Sequence, residues 1–277
     1  MRVFITGAYG QLGTEIVKAF SDEELFLSGH HDHDITDQQI IRTIEAFKPH
    51  LVVHTAACTD VDGCEEDPER ALQVNGFGTR NVTVGAAKAG AKLVYLSTDY
   101  VFDGTSDAPY NEFSPTSPIS VYGQSKLAGE DFVRHLSTAY FIVRTSWLYG
   151  NVGNNFVKTI LRAGAEKKEL RVVNDQRGSP TWAKDLARTI ASLAVTEAYG
   201  IYHVTGKGWC SWYDFTREIL RLASMKTEVV PITSDEIKRP ASRPANSVLE
   251  NLALRQVGIA QPHWKESLNH FMDQRES

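Results

Sequence analysis

Apolar residues recur along this chain in two rhythms. Short unbroken runs such as RVFIT read as strands, and between them, as in TEIVKAF, apolar positions three or four apart read as helices. The first run leads into the turn GAYGQLG and then into that helix. A second strand is expected over Leu25–Ser28. A helix is expected in ITDQQIIRTIEAFKP, with Thr36 and Gln39 at capping-box spacing and Pro49 ending it. LVVHTAA reads as a third strand, and a long helix is expected from about Pro68 to Ala89. KLVYLST and YFIVRTS are two further strands, with SVYGQSKLAGED between them in a helix. Strands that are apolar throughout and alternate with helices imply an α/β chain with a doubly wound parallel sheet, the Rossmann arrangement, covered on both faces.

Beyond residue 150 the pattern loosens. Helices are expected in NNFVKTILRAGAEKK, TWAKDLARTIASLAV and SWYDFTREILRLAS, and Pro231, Pro240, Pro244 and Pro262 are expected to break up the rest. No internal repeat or low-complexity linker intervenes, which points to a smaller C-terminal substrate-binding lobe packed over the sheet. The expected division gives residues 1–150, with returning segments around 180–205, to a dinucleotide-binding domain. The remainder of 151–277 forms the lobe, closing over the carboxyl ends of the strands where ligands bind in such sheets.

Composition narrows the function classes. With 277 residues, 42% hydrophobic and 23% charged, the chain has ample material for a core. A net charge of -5 without any basic run argues against nucleic acid as a partner. No apolar stretch reaches the roughly 18 residues of a membrane span, and the opening run is too short for a signal peptide, so an untargeted cytoplasmic chain with no membrane partner is expected. Cys58, Cys64 and Cys210 form no paired framework and no metal-ligand spacing, so reduced thiols are expected.

Gly7, Gly10 and Gly13 stand in the first turn, between a strand and a helix. Glycine there admits positive φ and lets a pyrophosphate approach the N–H groups at the helix start. An acidic residue about 20 positions later commonly meets the ribose 2'-hydroxyl, which points to SGHHDHDITD without selecting one acid. No lysine or arginine follows the second strand, which favours NADH, while His30 and His31 leave room for NADPH. The same His and Asp residues suit a metal, but loop histidines beside acids are commonly solvated, and no metal is expected.

Thr98 ends the fourth strand, and Tyr122 and Lys126 follow one helical turn apart. On one helix face, the lysine ammonium is expected to favour ionised tyrosine and lower its pKa. Such a tyrosine can protonate a carbonyl oxygen as hydride reaches its carbon, with a threonine hydroxyl holding that oxygen. The opposing reading is a packed tyrosine beside a surface lysine.

TGAYGQLG, LSTDYVFDG, SVYGQSKLAGE, IVRTSWLYG, VNDQRGSPTWAKDLA and RPANSVLE, spread over most of the chain, resemble the extended short-chain dehydrogenase/reductases. Among these the chain is similar to the dTDP-4-dehydrorhamnose reductase family. The resemblance implies reduction of the C4 ketone of a nucleotide-activated 6-deoxyhexose by NADH or NADPH, with Thr98, Tyr122 and Lys126 as the catalytic set. It implies that Gly10, Gln11 and Leu12 meet the pyrophosphate, Asp34 and Ile35 the adenine, and Ala57, Cys58 and Thr59 the middle of the cofactor, with Lys126 on the nicotinamide ribose. Asp99 and Trp147 would contact the sugar. A nucleotide-sugar substrate follows, and a homodimer is compatible.

Related 4,6-dehydratases carry Asp-Glu where this chain has Asp99 and Tyr100, so an elimination here would lack its base. Rival readings are a 4-ketoreductase for another deoxysugar, or a regulatory dinucleotide-binding subunit like the methionine adenosyltransferase beta subunit. Several residues have two readings. Asp99 either meets the sugar or caps the next turn, and Trp147 either faces a pyranose or is wedged between the lobes. Asn154 and Asn155 line the site or cap a helix, Arg243 meets the diphosphate or forms a salt bridge, and Asn75 ties a helix kink to the active site. Cys58 and Asp60 depart from the family pattern, which more often has a neutral or aromatic residue at these places.

Overall fold

The computed structural model describes residues 1–276. Its first half runs β1 (Arg2–Thr6), α1 (Gly13–Ala19), β2 (Glu24–Ser28), α2 (Gln39–Phe47), β3 (Leu51–His54), α3 (Val61–Glu66), α4 (Pro68–Leu72), α5 (Thr79–Ala89), β4 (Lys92–Thr98), α6 (Val121–Leu136) and β5 (Tyr140–Thr145). Then come β6 (Leu148–Tyr149), α7 (Phe156–Glu166), β7 (Glu169–Val173), β8 (Arg177–Gly178), β9 (Thr181–Trp182), α8 (Ala183–Ala194) and β10 (Gly200–His203). The chain closes with β11 (Cys210–Ser211), α9 (Trp212–Leu222), β12 (Glu228–Ile232), α10 (Leu252–Gln256) and α11 (Trp264–Glu276).

Six strands form one sheet in the order β10-β5-β4-β3-β1-β2, and every pairing in it is parallel. Successive residues of a strand point to opposite faces, and both faces are apolar. Val3 and Ile5 pack under Ile16 of α1 and Ile190 of α8, whereas Phe4 packs with Ile44 of α2 and Val82 of α5. This is the doubly wound α/β arrangement. The sixth strand, β10, comes from the segment after α8 and pairs with β5 from Gly200↔Phe141 to His203↔Arg144.

A second apolar cluster joins Tyr149, Val157, Ile160, Phe215, Ile219, Leu268 and Phe271, from α7, α9, α11 and the short strands. Pro231 does not break the chain there: it lies within β12, which pairs in parallel with β7, and its ring is exposed. Proline is tolerated where its missing N–H faces away from the ladder.

Two expected helices differ in detail. The Thr36–Gln39 capping box does not form. The Thr36 hydroxyl donates to Asp34 Oδ1 at 2.8 Å, and the N–H of Gln39 goes to Asp37 Oδ1 at 2.8 Å. Asp and Asn often capture backbone donors two residues on, and here Asp37 outcompetes the threonine. The helix expected from Pro68 to Ala89 is continuous in direction but carries a π-helical stretch, Gln73–Gly78, between α4 and α5. Asn75 sits in that stretch. Such insertions recur at functional sites.

Candidate active site

β1 and β3 are neighbours whose chains depart to opposite sides of the sheet, to β2 and β4. Ligand crevices open at such switch points. A cavity of about 870 Å³ lies there. It brings together Gly7, Gly10, Gln11, Leu12 and Gly13 of the turn, Asp34 and Ile35 after β2, and Ala57, Cys58 and Thr59 after β3. Thr98 and Asp99, Tyr122 and Lys126, and Trp147 after β5 complete its wall.

The turn has no room for side chains. Gly7 has φ +67°, and a Cβ on it would lie 2.7 Å from the Ala56 nitrogen; a Cβ on Gly13 would lie 2.0 Å from the Gly7 oxygen. Gly10 donates to the Gly7 carbonyl at 3.0 Å. The N–H groups of Gln11, Leu12 and Gly13 find no acceptor among the described residues. They lie at the start of α1, where anions are favoured. The Gln11 side chain is engaged elsewhere: its amide donates to Leu148 O at 3.0 Å and accepts from Asn155 Nδ2 at 2.8 Å. The residue thus ties the turn to the C-terminal lobe and leaves its backbone N–H for a ligand.

Of the acids after β2, Asp34 reaches the cavity wall, and Asp32 and Asp37 do not. Its carboxylate holds both the N–H and the hydroxyl of Thr36, at 2.9 and 2.8 Å, and Ile35 beside it is buried. His30 and His31 are exposed at the rim. Arg70 of α4 adds an exposed guanidinium to the same wall. It lies too far along the chain to be found by inspecting the loop after β2. Among the described residues no cluster of three or more His, Cys, Asp or Glu is placed to hold a metal.

At the other end of the cavity, Lys126 is 3% exposed, with its Nζ 4.3 Å from the centre of the Tyr95 ring. Its ammonium has no hydrogen-bond or ion-pair partner among the described residues. The nearest carboxylate on the same face of α6, Glu130, is committed to Arg144 Nη2 at 2.7 Å and to the Ser97 hydroxyl at 2.6 Å. Burial lowers the Lys126 pKa to about 7, against the opposing pull of Glu130. A cation is costly to bury without a partner unless a ligand completes the site.

Tyr122 is half-buried one turn earlier on α6. The sequence-based expectation that its phenol is acidified is not met. Removal from water pushes the pKa well above the ordinary tyrosine value, the Thr98 hydroxyl pulls it down, and Asp99 and Tyr100 push it further up. Desolvation of the phenolate is the largest of these effects. The Thr98 hydroxyl donates to Asp99 Oδ1 at 3.0 Å and accepts from the Tyr100 N–H at 3.2 Å. Thr98, not Asp99, therefore caps the following 3₁₀ turn. Asp99 is 2% exposed, its Oδ2 has no hydrogen-bond partner, and burial raises its pKa to about 6 against nearby Ser247 and Thr98 hydroxyls. The Tyr100 ring meets that of Tyr122 edge-on at 5.6 Å.

Trp147 is placed both at the cavity and against the C-terminal lobe. It lines the cavity and is also clamped between lobes, stacked on Trp212 with ring centres 3.4 Å apart and planes 7° from parallel. It adopts φ +47°, and a Cβ on Gly178 would come within 2.3 Å of its ring. Trp212, absent from the sequence-based site, enters the wall through this stack. Asn154 and Asn155 both line the cavity, and Asn155 also caps α7 through the Lys158 N–H. Arg243 forms a two-pronged salt bridge with Asp62, at 3.1 and 2.8 Å, and is not in the cavity wall. Asn75 clasps Cys58, accepting from its N–H at 2.8 Å and donating to its carbonyl at 3.0 Å, and also donates to Ser125 of α6. The π-helical stretch thereby links the wall after β3 to the helix of Tyr122.

A family model described as "RmlD substrate binding domain" matches residues 1–277. The chain is 38% identical to a dTDP-4-dehydrorhamnose reductase of Aggregatibacter actinomycetemcomitans, covering 98% of each chain. It is 40% identical to a dTDP-4-keto-6-deoxy-D-glucose reductase of Streptomyces niveus, over 96% of this chain and 95% of that one. The crystal structure of dTDP-4-dehydrorhamnose reductase from Bacillus anthracis in complex with NADP superposes with a TM-score of 0.96 at 44% identity, covering 99% of each chain.

Proposed function

The chain belongs to the RmlD substrate-binding-domain family, and from that premise we propose that it reduces the C4 ketone of dTDP-4-dehydro-L-rhamnose to dTDP-L-rhamnose with NADH or NADPH. The observation that carries this reading is the buried, unpartnered Lys126 one helical turn from Tyr122, facing the crevice at the switch point of the sheet. The residues present fit a dinucleotide. The turn is a cradle that a Cβ would fill at Gly7 or Gly13, and three N–H groups beside it await an anion. When bound, the reduced nicotinamide supplies the hydride for the sugar C4.

In this reading the N–H groups of Gln11, Leu12 and Gly13 hold the pyrophosphate, and the walls at Asp34–Ile35 and Ala57–Thr59 hold the adenosine and the middle of the cofactor. Lys126 holds the nicotinamide ribose. Because burial keeps Tyr122 protonated at neutral pH, it enters the reaction as a proton donor, which reduction requires. Its O–H proton passes to the oxygen at C4, and the tyrosinate left behind is stabilised by Lys126 and Thr98. Thr98 turns its hydroxyl from Asp99 to the same oxygen. Trp147, held rigid by Trp212 and Gly178, forms a flat wall for the pyranose. With Tyr100 after Asp99, no second carboxylate stands ready to abstract a proton for elimination.

The three cysteines are free, in keeping with a cytoplasmic setting. The Streptomyces niveus relative supports a second reading in which the same chemistry serves another dTDP-4-keto-6-deoxy sugar. Purified protein given NADPH and a panel of 4-keto nucleotide sugars should oxidise the cofactor, fastest with dTDP-4-dehydro-L-rhamnose. Tyr122→Phe should bind NADPH with unchanged affinity and turn over about 10²–10⁴-fold more slowly. Cofactor binding with no turnover of any ketone would favour a regulatory subunit, and an active Tyr122→Phe would remove the proton-donor assignment.

A further inference from the structure

Cys58, in the loop after β3, and Cys64, on α3, are six positions apart in sequence, and their sulfurs lie 3.7 Å apart, both as free thiols. Cys58 is half-buried and lines the cavity, so a small solute entering the cavity reaches it. Cys64, on α3, is 1% exposed and lies behind it. The backbone of Cys58 is fixed on both sides by Asn75, so its side chain, rather than the main chain, is the part free to turn. A disulfide requires a sulfur separation of about 2.05 Å. Rotation about the two Cα–Cβ bonds, which carries the sulfurs, is the natural route from contact to bond. The third thiol, Cys210, is buried in the other lobe among Phe215, Trp264 and their neighbours, away from both.

We propose that Cys58 and Cys64 form an oxidisable dithiol in the wall of the cavity, which takes small hydroperoxides and which bound dinucleotide shields. Cys58 is the entry point. Its sulfur attacks the peroxide, the O–O bond breaks, an alcohol or water leaves, and a sulfenic acid remains on Cys58. The Cys64 sulfur then attacks it, the S–S bond forms, the S–O bond breaks, and water departs with the thiol proton. Two thiols are oxidised by two electrons and one hydroperoxide is reduced. The shielding rests on the functional reading above, because it requires the cofactor to lie over Ala57–Thr59; the dithiol itself does not. Burial pushes the Cys64 thiol up to about 12, with Cys58 and the acids Asp60 and Glu65 adding to the effect, which suits it to the resolving rather than the attacking role.

The experiment treats the native protein with hydrogen peroxide and with tert-butyl hydroperoxide, quenches with an alkylating agent, and maps the thiols by mass spectrometry. Digestion before aspartate separates the two cysteines, because Asp60 and Asp62 lie between them. The expected result is loss of two thiols of the three, a Cys58–Cys64 crosslink reversed by dithiothreitol, and Cys210 still alkylated. A Cys58 that accumulates as sulfinic acid without a crosslink, or a Cys210 that reacts as fast as Cys58, would overturn the proposal. The same treatment with saturating NADPH should slow crosslinking at least tenfold. A crosslink that forms equally fast with NADPH bound would leave the dithiol standing and remove the cofactor from that wall.

Discussion

Replacing Lys126 by methionine should stabilise the empty protein while destroying its activity. In the folded chain the Lys126 pKa falls from 10.5 to about 7, with burial as the main cause. At about 1.4 kcal/mol for each pH unit this corresponds to roughly 5 kcal/mol against the charged form. The Tyr95 ring face, 4.3 Å from Nζ, returns about 1–2 kcal/mol, leaving about 3 kcal/mol of net cost. The folded pKa lies below that of the unfolded chain, so between pH 7 and 10.5 the unfolded chain binds more protons and stability rises with pH. The penalty is complete below about pH 7 and vanishes above 10.5. Methionine fills the same space without the charge. Urea unfolding at pH 6 should therefore show Lys126→Met more stable by about 3 kcal/mol, with the gap closing as the pH is raised through 9. Saturating NADPH should stabilise the parent more than the variant, since the parent alone retains the ammonium for the ribose. A variant that is less stable than the parent at pH 6, or a gap independent of pH, would refute the claim that Lys126 is a desolvated cation kept for a ligand.

Three further outcomes follow from the geometry. Gly178→Ala places a methyl within 2.3 Å of the Trp147 ring and should raise KM for the nucleotide sugar about tenfold by moving the wall, leaving NADPH affinity unchanged; an unchanged KM would deny Trp147 its sugar contact. Glu130→Gln leaves Arg144 buried and unpaired, which should cost about 3–5 kcal/mol in thermal or urea unfolding; equal stability would show that the buried pair contributes nothing. Asn155→Ala removes both the cap of α7 and the tie to Gln11, and should cost about 1 kcal/mol for the cap and weaken NADPH binding as well, whereas lost stability with full affinity would leave the tie without a function.

Much of the sheet was legible because its strands are buried on both sides. Val3 to Ile5, Leu51 to Val53 and Phe141 to Val143 are continuous apolar runs, and the sheet covers both of their faces with helices. β10 carries too little of that signal: its four residues include Gly200 and His203, and its place depends on β5 beside it. β7 and β12 each pair with a single neighbour outside the main sheet, so neither has the two buried faces that produce an apolar run. Among the residues that line the cavity, the glycine turn and Thr98 could be placed together at the strand ends because local spacing fixes them. The phenol of Tyr122 could not, because the sequence gives its lysine neighbour but not the burial that decides its charge. Trp212, Arg70 and the Cys58–Cys64 contact depend on elements brought together only by folding.

In the proposed reaction a hydride reaches the sugar C4 and the proton comes from Tyr122. The most direct measurement uses NADPH carrying deuterium at the transferable nicotinamide position, with dTDP-4-dehydro-L-rhamnose as acceptor, and analyses the isolated nucleotide sugar by mass spectrometry and NMR. The account predicts one deuterium on C4 of a product with the rhamno configuration, formed by the parent protein and not by Tyr122→Phe. Deuterium absent from C4, or incorporated equally by both proteins, would contradict it.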